Sequence, residues 1–195
     1  MNARDYALFA QEAYDAKPDI GIADSASRAI VRQTADGLCI AFRGSDDLDS
    51  WLHNLDSVPA LVSGMGAVHR GFYCAWTDMS AGVMAAVGDK PVTLIGHSLG
   101  GAICLLAAAA LTLAGKPPLA AWAFEPPRVS FDMTLRVLLS HVPLHLWRNG
   151  SDPVPDLPLG GVHPGLLTHI GKSTTLIPSI SDHFLQNVIP NIPAA

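Results

Sequence analysis

Ser98 lies in the run Gly96-His97-Ser98-Leu99-Gly100, between the β-branched stretch Val92–Ile95 and the uncharged stretch Leu99–Gly115. A serine at such a junction can act as a nucleophile. A strand that turns sharply into a helix presents its side chain at the apex, and the helix N-terminus aims free N–H groups at whatever that side chain attacks. Two other readings compete: a serine N-cap on a buried helix, and a membrane span starting near Leu99. The span is disfavoured. The stretch falls just short of the roughly 18 apolar residues that mark one, and about half of it is Ala and Gly. No aromatic or basic anchors flank it.

A serine hydroxyl is a weak nucleophile at its free pKa and needs a base, itself oriented by an acid. Acids after Ser98 are Glu125, Asp132, Asp152, Asp156 and Asp182. Glu125 closes the expected strand Leu119–Phe124, and Asp152 follows the next, Leu144–Arg148. Functional groups gather at the carboxyl ends of strands in open parallel sheets, which suits both. Around a nucleophile turn of this kind the chain order is Ser, acid, His, with the acid two strands beyond the serine. Asp152 is therefore preferred. Asp156 stands as the alternative reading of a solvated loop acid, and Glu125 as a pocket residue or partner of Arg128. Of the eight histidines, His53, His69 and His97 precede Ser98. His141 and His145 have the spacing of a helical zinc pair, but Pro143 lies between them and strand follows. His163 and His169 flank a Gly/Pro stretch. His183, in Ser-Asp-His-Phe beyond the last expected strand, fits the base best. No metal and no cofactor are implied.

These residues need elements to carry them. Helix periodicity predicts Arg4–Tyr14, Arg70–Val87, Ser98–Ala114, a helix near Met133–Leu139 and a last short one over Ser181–Ile189. Strands are expected at Arg28–Thr34 and Gly37–Gly44, joined by a hairpin through Ala35-Asp36-Gly37, then at Pro91–Gly96, Leu119–Phe124 and Leu144–Arg148. Thr168–Ile177 reads as a further strand or hairpin. Strands alternating with helices argue an α/β fold with a mostly parallel sheet covered on both faces. The 195 residues suffice for one domain with a sizeable core and hardly for two. With a net charge of −5 and no basic run, nucleic acid is excluded as a partner. Charged residues make up only 15% and the mean hydropathy is +0.30, so a large core or an apolar binding surface is expected. Cys39, Cys74 and Cys104 sit in apolar runs and read as buried, reduced thiols. Met1–Asp15 carries charge from the start and no apolar signal core. A cytoplasmic protein is expected on that ground, with release by lysis or an unconventional route left open.

The segments "IAFRGSDDLDSWLHNLDSVP", "VHRGFYCAW", "LIGHSLGGAICLLAA", "FEPPRVS", "RNGSDPVPDLP" and "DHF" follow one another in an order that resembles the class 3 lipase family, the fungal-lipase-like α/β-hydrolases. The likeness runs from about Tyr6 to Phe184. It implies an α/β-hydrolase fold and a triad of Ser98, Asp152 and His183. It also implies an oxyanion hole from Ser45 and from Leu99, the residue after the nucleophile. The activity implied is hydrolysis of lipid-like acyl esters, with transient contact at a lipid interface, no transmembrane span and the oligomeric state left open.

The segment of about 46–55 matches the lid of such lipases. Leu48, Trp51, Leu52 and Leu55 fall on one face, opposite Asp46, Asp49 and Ser50. Such a helix can close over a pocket or stand as a fixed wall, and the lid-like reading is preferred. Three departures stand out. Glu125 occupies a position where the family usually has glycine, Ser130-Phe131 stands where it usually has Gly-Asn, and the chain is short, a compact member with a shallow acyl pocket. The same triad would also serve an acyltransferase or thioesterase. An interaction protein on a decayed hydrolase fold is a weaker alternative, since every triad and oxyanion position is filled.

Overall fold

The computed structural model describes residues 1–22, 25, 27–48, 55–173 and 177–194. Its centre is a seven-stranded sheet in the order β1-β2-β3-β6-β7-β8-β9. The strands are β1 (Ile20–Gly21), β2 (Arg28–Thr34), β3 (Gly37–Phe42), β6 (Val92–His97), β7 (Ala120–Phe124), β8 (Leu144–Asn149) and β9 (Leu167–Ile170), while β4 (Pro59–Val62) and β5 (Gly66–His69) form a separate hairpin. The first two pairings are antiparallel and the rest of the large sheet is parallel.

Helices cover both faces, as the alternation of elements predicts. On one side lie α2 (Arg70–Val87) and α3 (Leu99–Leu113); on the other lie α1 (Ala3–Asp15) and α5 (Leu185–Val188), with the short α4 (Thr134–Leu138) near the β4–β5 hairpin. Strand alternation sorts the core into two clusters. Ile40, Phe42 and Leu94 face Phe72, Trp76, Ile103 and Leu106. Ile30, Cys39, Ala41 and Ile95 face Tyr6, Ala10, Leu185 and Val188. Helix α3 is the apolar stretch singled out above, and twelve of its fifteen residues are buried. It needs no polar face because it is packed between the sheet and α2. Among the described residues no helix is long and apolar enough to cross a membrane.

The helices expected at Arg70–Val87 and Ser98–Ala114 and the β2–β3 hairpin, closed by Thr34↔Gly37, stand within two residues of their predicted bounds. Three features differ. The last helix is broken: a 3-10 turn, Ile180–His183, and α5 are separated by the extended Phe184. The β4–β5 hairpin and β1 have no counterpart in the sequence reading. Cys39 and Cys104 are buried as expected, but Cys74 is exposed, on the outward side of α2.

Registers decide where the chemistry gathers. Phe42 pairs with Gly96, His97 with Phe124, and Phe124 with Trp147. The chain therefore leaves β3, β6, β7 and β8 at one edge of the sheet, bringing Ser45, Ser98, Glu125 and Asp152 to a common rim.

Candidate active site

Ser98 connects β6 to α3 with φ 57° and ψ −128°, a left-handed conformation that L residues rarely hold. The turn closes because two glycines let backbones approach. A Cβ on Gly96 would stand 2.0 Å from the Gly100 carbonyl oxygen, and one on Gly100 would stand 2.2 Å from the Phe42 oxygen. The Ser98 backbone N–H donates to Phe124 O at 3.0 Å, anchoring the turn to β7. Its side chain makes no cap bond, so the N-cap reading does not describe this serine.

Asp152 and His183 meet although 31 residues separate them: His183 Nδ1 lies 2.7 Å from Asp152 Oδ2, with both residues buried. The Val154 N–H donates to Asp152 Oδ1 at 3.0 Å, which fixes the carboxylate plane. The two loops are also tied to each other. Asn149 Nδ2 donates to Asp182 O at 2.9 Å, and the Ser151 N–H donates to Asp182 Oδ2 at 2.9 Å. Burial pushes Asp152 up, but the hydrogen bonds from His183 and from the Val154 N–H, with the Glu125 carboxyl alongside, outweigh it and hold the carboxyl below its ordinary value. Asp152 therefore stands ionised beside the imidazole. With Nδ1–H committed to Asp152, Nε2 is the free acceptor.

Ser98 Oγ and His183 Nε2 are both buried, and neither is hydrogen-bonded to any described residue. Both residues line one cavity of about 660 Å³, whose lining also includes Ser45, Leu48, Tyr14, Ile180 and Phe184 and the polar Gln11, Asp15, Asp46, Asp47 and Gln186. Such a pair tightens once a substrate is bound. Leu99 is the first residue of α3, where N–H groups have no intrahelical acceptor. Ser45 is half-buried at the cavity, and its hydroxyl donates to Asp47 O at 3.1 Å, so its backbone N–H is the donor left to face the cavity among the described residues.

Of the lid residues, Leu48 is buried and lines the cavity, and Leu55 packs against the core. Trp51 and Leu52 lie outside the described residues. Asp46, at the start of that segment, pairs with Arg28 and Arg43.

Two residues that the sequence reading did not assign complete the site. Tyr14, at the end of α1, places its hydroxyl 2.6 Å from His97 Nδ1, and His97 Nε2 lies 2.7 Å from the His183 backbone oxygen. The carbonyl can only accept, so Nε2 carries the hydrogen and Nδ1 accepts from Tyr14. Burial, with His183 nearby, pushes His97 down to about 3, so it is neutral at working pH. His97 was visible in the Gly-His-Ser run; Tyr14 could be found only once α1 was docked.

The remaining candidates fall away for physical reasons. Asp156 pairs with Arg128 and Arg148. Glu125 is therefore not the partner of Arg128; it lies fully buried beside Asp152. His145 stacks on Trp122 at 3.7 Å, and His163 and His169 are bonded to backbone oxygens. Asp132 accepts the Ala67 and Thr134 N–H groups. Glu125, Asp152 and His183 bring their ligand atoms within 4.8 Å of one another. A tetrahedral ion holding donors at ~2.0–2.1 Å keeps them about 3.3 Å apart. The 2.7 Å between His183 and Asp152 fits a shared proton instead.

Comparison with known proteins bears on this arrangement. A family model described as lipase (class 3) matches residues 39–161. The chain is 31% identical over 158 residues to secreted mono- and diacylglycerol lipase A of Penicillium cyclopium, covering 74% of this chain and 52% of that protein. It is 33% identical over 132 residues to secreted mono- and diacylglycerol lipase 1 of Fusarium solani, covering 62% and 39% respectively. The chain thus spans about half the length, or less, of these relatives. A lipase from Rhizopus microsporus var. chinensis superposes with a TM-score of 0.76 at 23% identity, covering 93% of this chain and 84% of that one. The names of the relatives overturn the expectation of a cytoplasmic protein, because they are secreted lipases. That expectation rested on composition near residue 1, whereas the address of an exported protein is not written into its folded core. On the match to residues 39–161, with the α/β-hydrolase fold around it, the chain belongs to the class 3 lipase family.

Proposed function

We propose that this chain, as one α/β-hydrolase domain over residues 1–195, is a serine hydrolase of lipid-like acyl esters. His183, oriented by Asp152, takes the Ser98 proton on Nε2 as Oγ attacks the ester carbonyl. The oxyanion of the tetrahedral intermediate rests on the backbone N–H groups of Ser45 and Leu99, each worth ~3–4 kcal/mol by analogy with such donors. His183 then protonates the leaving alcohol, and water releases the acyl group from Ser98 by the same path. The observation that carries the reading is the strained Ser98 and the Asp152-oriented His183 opening onto one cavity.

The cavity also supports a substrate class. Its lining mixes Leu48, Ile180 and Phe184, apolar contacts for an acyl chain, with the polar Gln11, Asp15, Asp46 and Gln186. That mixture suits acylglycerols with free hydroxyls, the class in the names of the Penicillium and Fusarium relatives. The segment 46–55 is proposed as the cover that meets a lipid interface, since Leu48 reaches the cavity from it. The names of the same relatives support an extracellular site of action.

Hydrolysis of p-nitrophenyl esters from acetate to palmitate, for wild type beside Ser98→Ala, tests the reading, with fluorophosphonate labelling in parallel. Turnover and labelling lost in Ser98→Ala are expected, and monoacylglycerols should compete with the chromogenic esters. Equal rates in both proteins would remove Ser98 from the chemistry. Labelling without hydrolysis, with acyl groups passing to added alcohol or thiol, would make the chain a transferase.

A further inference from the structure

Glu125 directly follows β7 with φ 51°, one of two non-glycine residues among those described with a left-handed backbone. The other is Ser98. Such a backbone is strained for any side chain, and glutamate gains nothing there unless its carboxyl interacts. The carboxyl is fully buried, and neither oxygen has a donor in bonding geometry among the described residues.

Its surroundings define what form it takes. Asp152 faces it from the loop after β8, and His183 from the C-terminal 3-10 turn. Arg148 on β8 also faces it, but that guanidinium is bound to Asp156 at 2.8 Å. His97 on β6 is neutral. Asp152 is already the anion, with its own oxygens on His183 and on the Val154 N–H. Two buried carboxylates with oxygens within 4.8 Å of one another would repel, and the Asn149 backbone beside Glu125 is, among the described residues, the one neutral group that favours its charge. One proton on the pair removes that repulsion. Burial, with Asp152 beside it, pushes Glu125 well above the ordinary carboxylate range, while Asp152 goes down, so the proton belongs to Glu125.

We propose that Glu125 is a positioning residue of the triad: as the neutral acid it donates its O–H to Asp152, so that a carboxyl pair sharing one proton, rather than a lone carboxylate, orients His183. This rests on the triad proposed above. Glu125 does not line the cavity and touches no reacting atom; it acts only through Asp152. Its O–H would hold the Asp152 carboxylate in the plane that His183 Nδ1 needs. At a pH high enough to strip that proton, the donor is lost and a second negative charge stands behind Asp152.

Infrared spectroscopy of the wild type with 13C-labelled glutamate should reveal a protonated, isotope-shifted carboxylic acid carbonyl at neutral pH, lost in Glu125→Gln. This readout needs neither activity nor a stable variant, because titration of the wild type alone should erase the band only at alkaline pH. In kinetics, Glu125→Ala should lower kcat about tenfold, the rate equivalent of one hydrogen bond to a charged group, with KM nearly unchanged. Glu125→Gln, whose amide N–H can replace the O–H but cannot ionise, should recover most of that loss and abolish the alkaline fall in kcat. No protonated glutamate at neutral pH, or a Glu125→Ala kcat equal to that of the wild type, would overturn the inference. A wild type that hydrolyses no ester and takes no fluorophosphonate would instead defeat the triad reading, and the infrared band would still decide the protonation of the pair.

Discussion

Tyr14 and His97 make an argument about single residues that distance along the chain conceals. The phenol O–H goes to His97 Nδ1, and His97 Nε2–H goes to the His183 carbonyl, so the backbone of the proposed base is hung on α1. Tyr14→Phe keeps the ring and deletes the donor. It leaves a buried imidazole nitrogen unsatisfied, which costs about 1–3 kcal/mol. Stability by urea denaturation should fall by that amount, and kcat should fall while KM for a short ester holds, because the binding wall is intact. A Tyr14→Phe protein with wild-type stability would mean that His97 is served by another donor. At this scale motif and order singled out Ser98, Asp152 and His183, since each lies at a strand end or in a marked run, and the structure brings Ser98 and His183 to one cavity, with Asp152 bonded to His183. It misplaced Glu125, which was read against Arg128. Both Glu125 and Asp152 follow strands, and only the pairing of β7 with β8 in the folded sheet brings their carboxyls within 4.8 Å.

The β6–Ser98–α3 turn is an element whose strain can be measured. Ser98 holds φ 57° without any side-chain cap bond, so its side chain contributes nothing to closing the turn. Left-handed backbone costs about 1–3 kcal/mol for a non-glycine residue and little for glycine. Ser98→Ala keeps that cost and Ser98→Gly relieves it. Both variants should be inactive, yet Ser98→Gly should unfold at a higher temperature than Ser98→Ala by the equivalent of about 1 kcal/mol. Equal melting temperatures would remove strain as a property of this turn. Gly96→Ala should act the other way, costing several-fold in activity and about 1–3 kcal/mol in stability as its Cβ forces Gly100 aside. Elements of this kind were legible because periodicity and turn chemistry agree over long runs: α2, α3 and the β2–β3 hairpin all carry strong local signals. The β4–β5 hairpin does not. Pro59–Val62 alternates exposed and half-buried residues with no apolar stripe, and the hairpin is held through β5, where Ala67 and Val68 contact Asp132 and Ser130 far along the chain. The two residues of β1 are too few for any pattern.

For the molecule as a whole, buried ionisable groups set how stability follows pH. His97 is neutral down to about 3 when folded, against an ordinary value near 6.5, so between those limits the unfolded chain binds a proton that the folded one does not. Stability therefore falls as pH drops through that window, by up to ~1.4 kcal/mol per pH unit for one group. His69, His145 and His163 are also pushed down by burial and add to the same acid-side loss. Glu125 works in the opposite sense. Its folded value lies well above the 4.5 of an ordinary glutamate, so the folded chain keeps a proton that the unfolded chain releases. Its contribution is complete below 4.5 and declines as pH rises, until the folded carboxyl ionises as well. The stability curve is thus expected to be a dome, with histidines shaping the acid flank and a carboxyl the alkaline one. Glu125→Gln isolates the second flank: the variant should gain on the wild type steadily from pH 5 upward, at about 1.4 kcal/mol per pH unit while the proton is retained. Melting temperatures of both proteins measured across that range would settle it. A difference that does not change with pH would mean that Glu125 ionises alike in both states, and the carboxyl pair would then have no share in the stability of the fold.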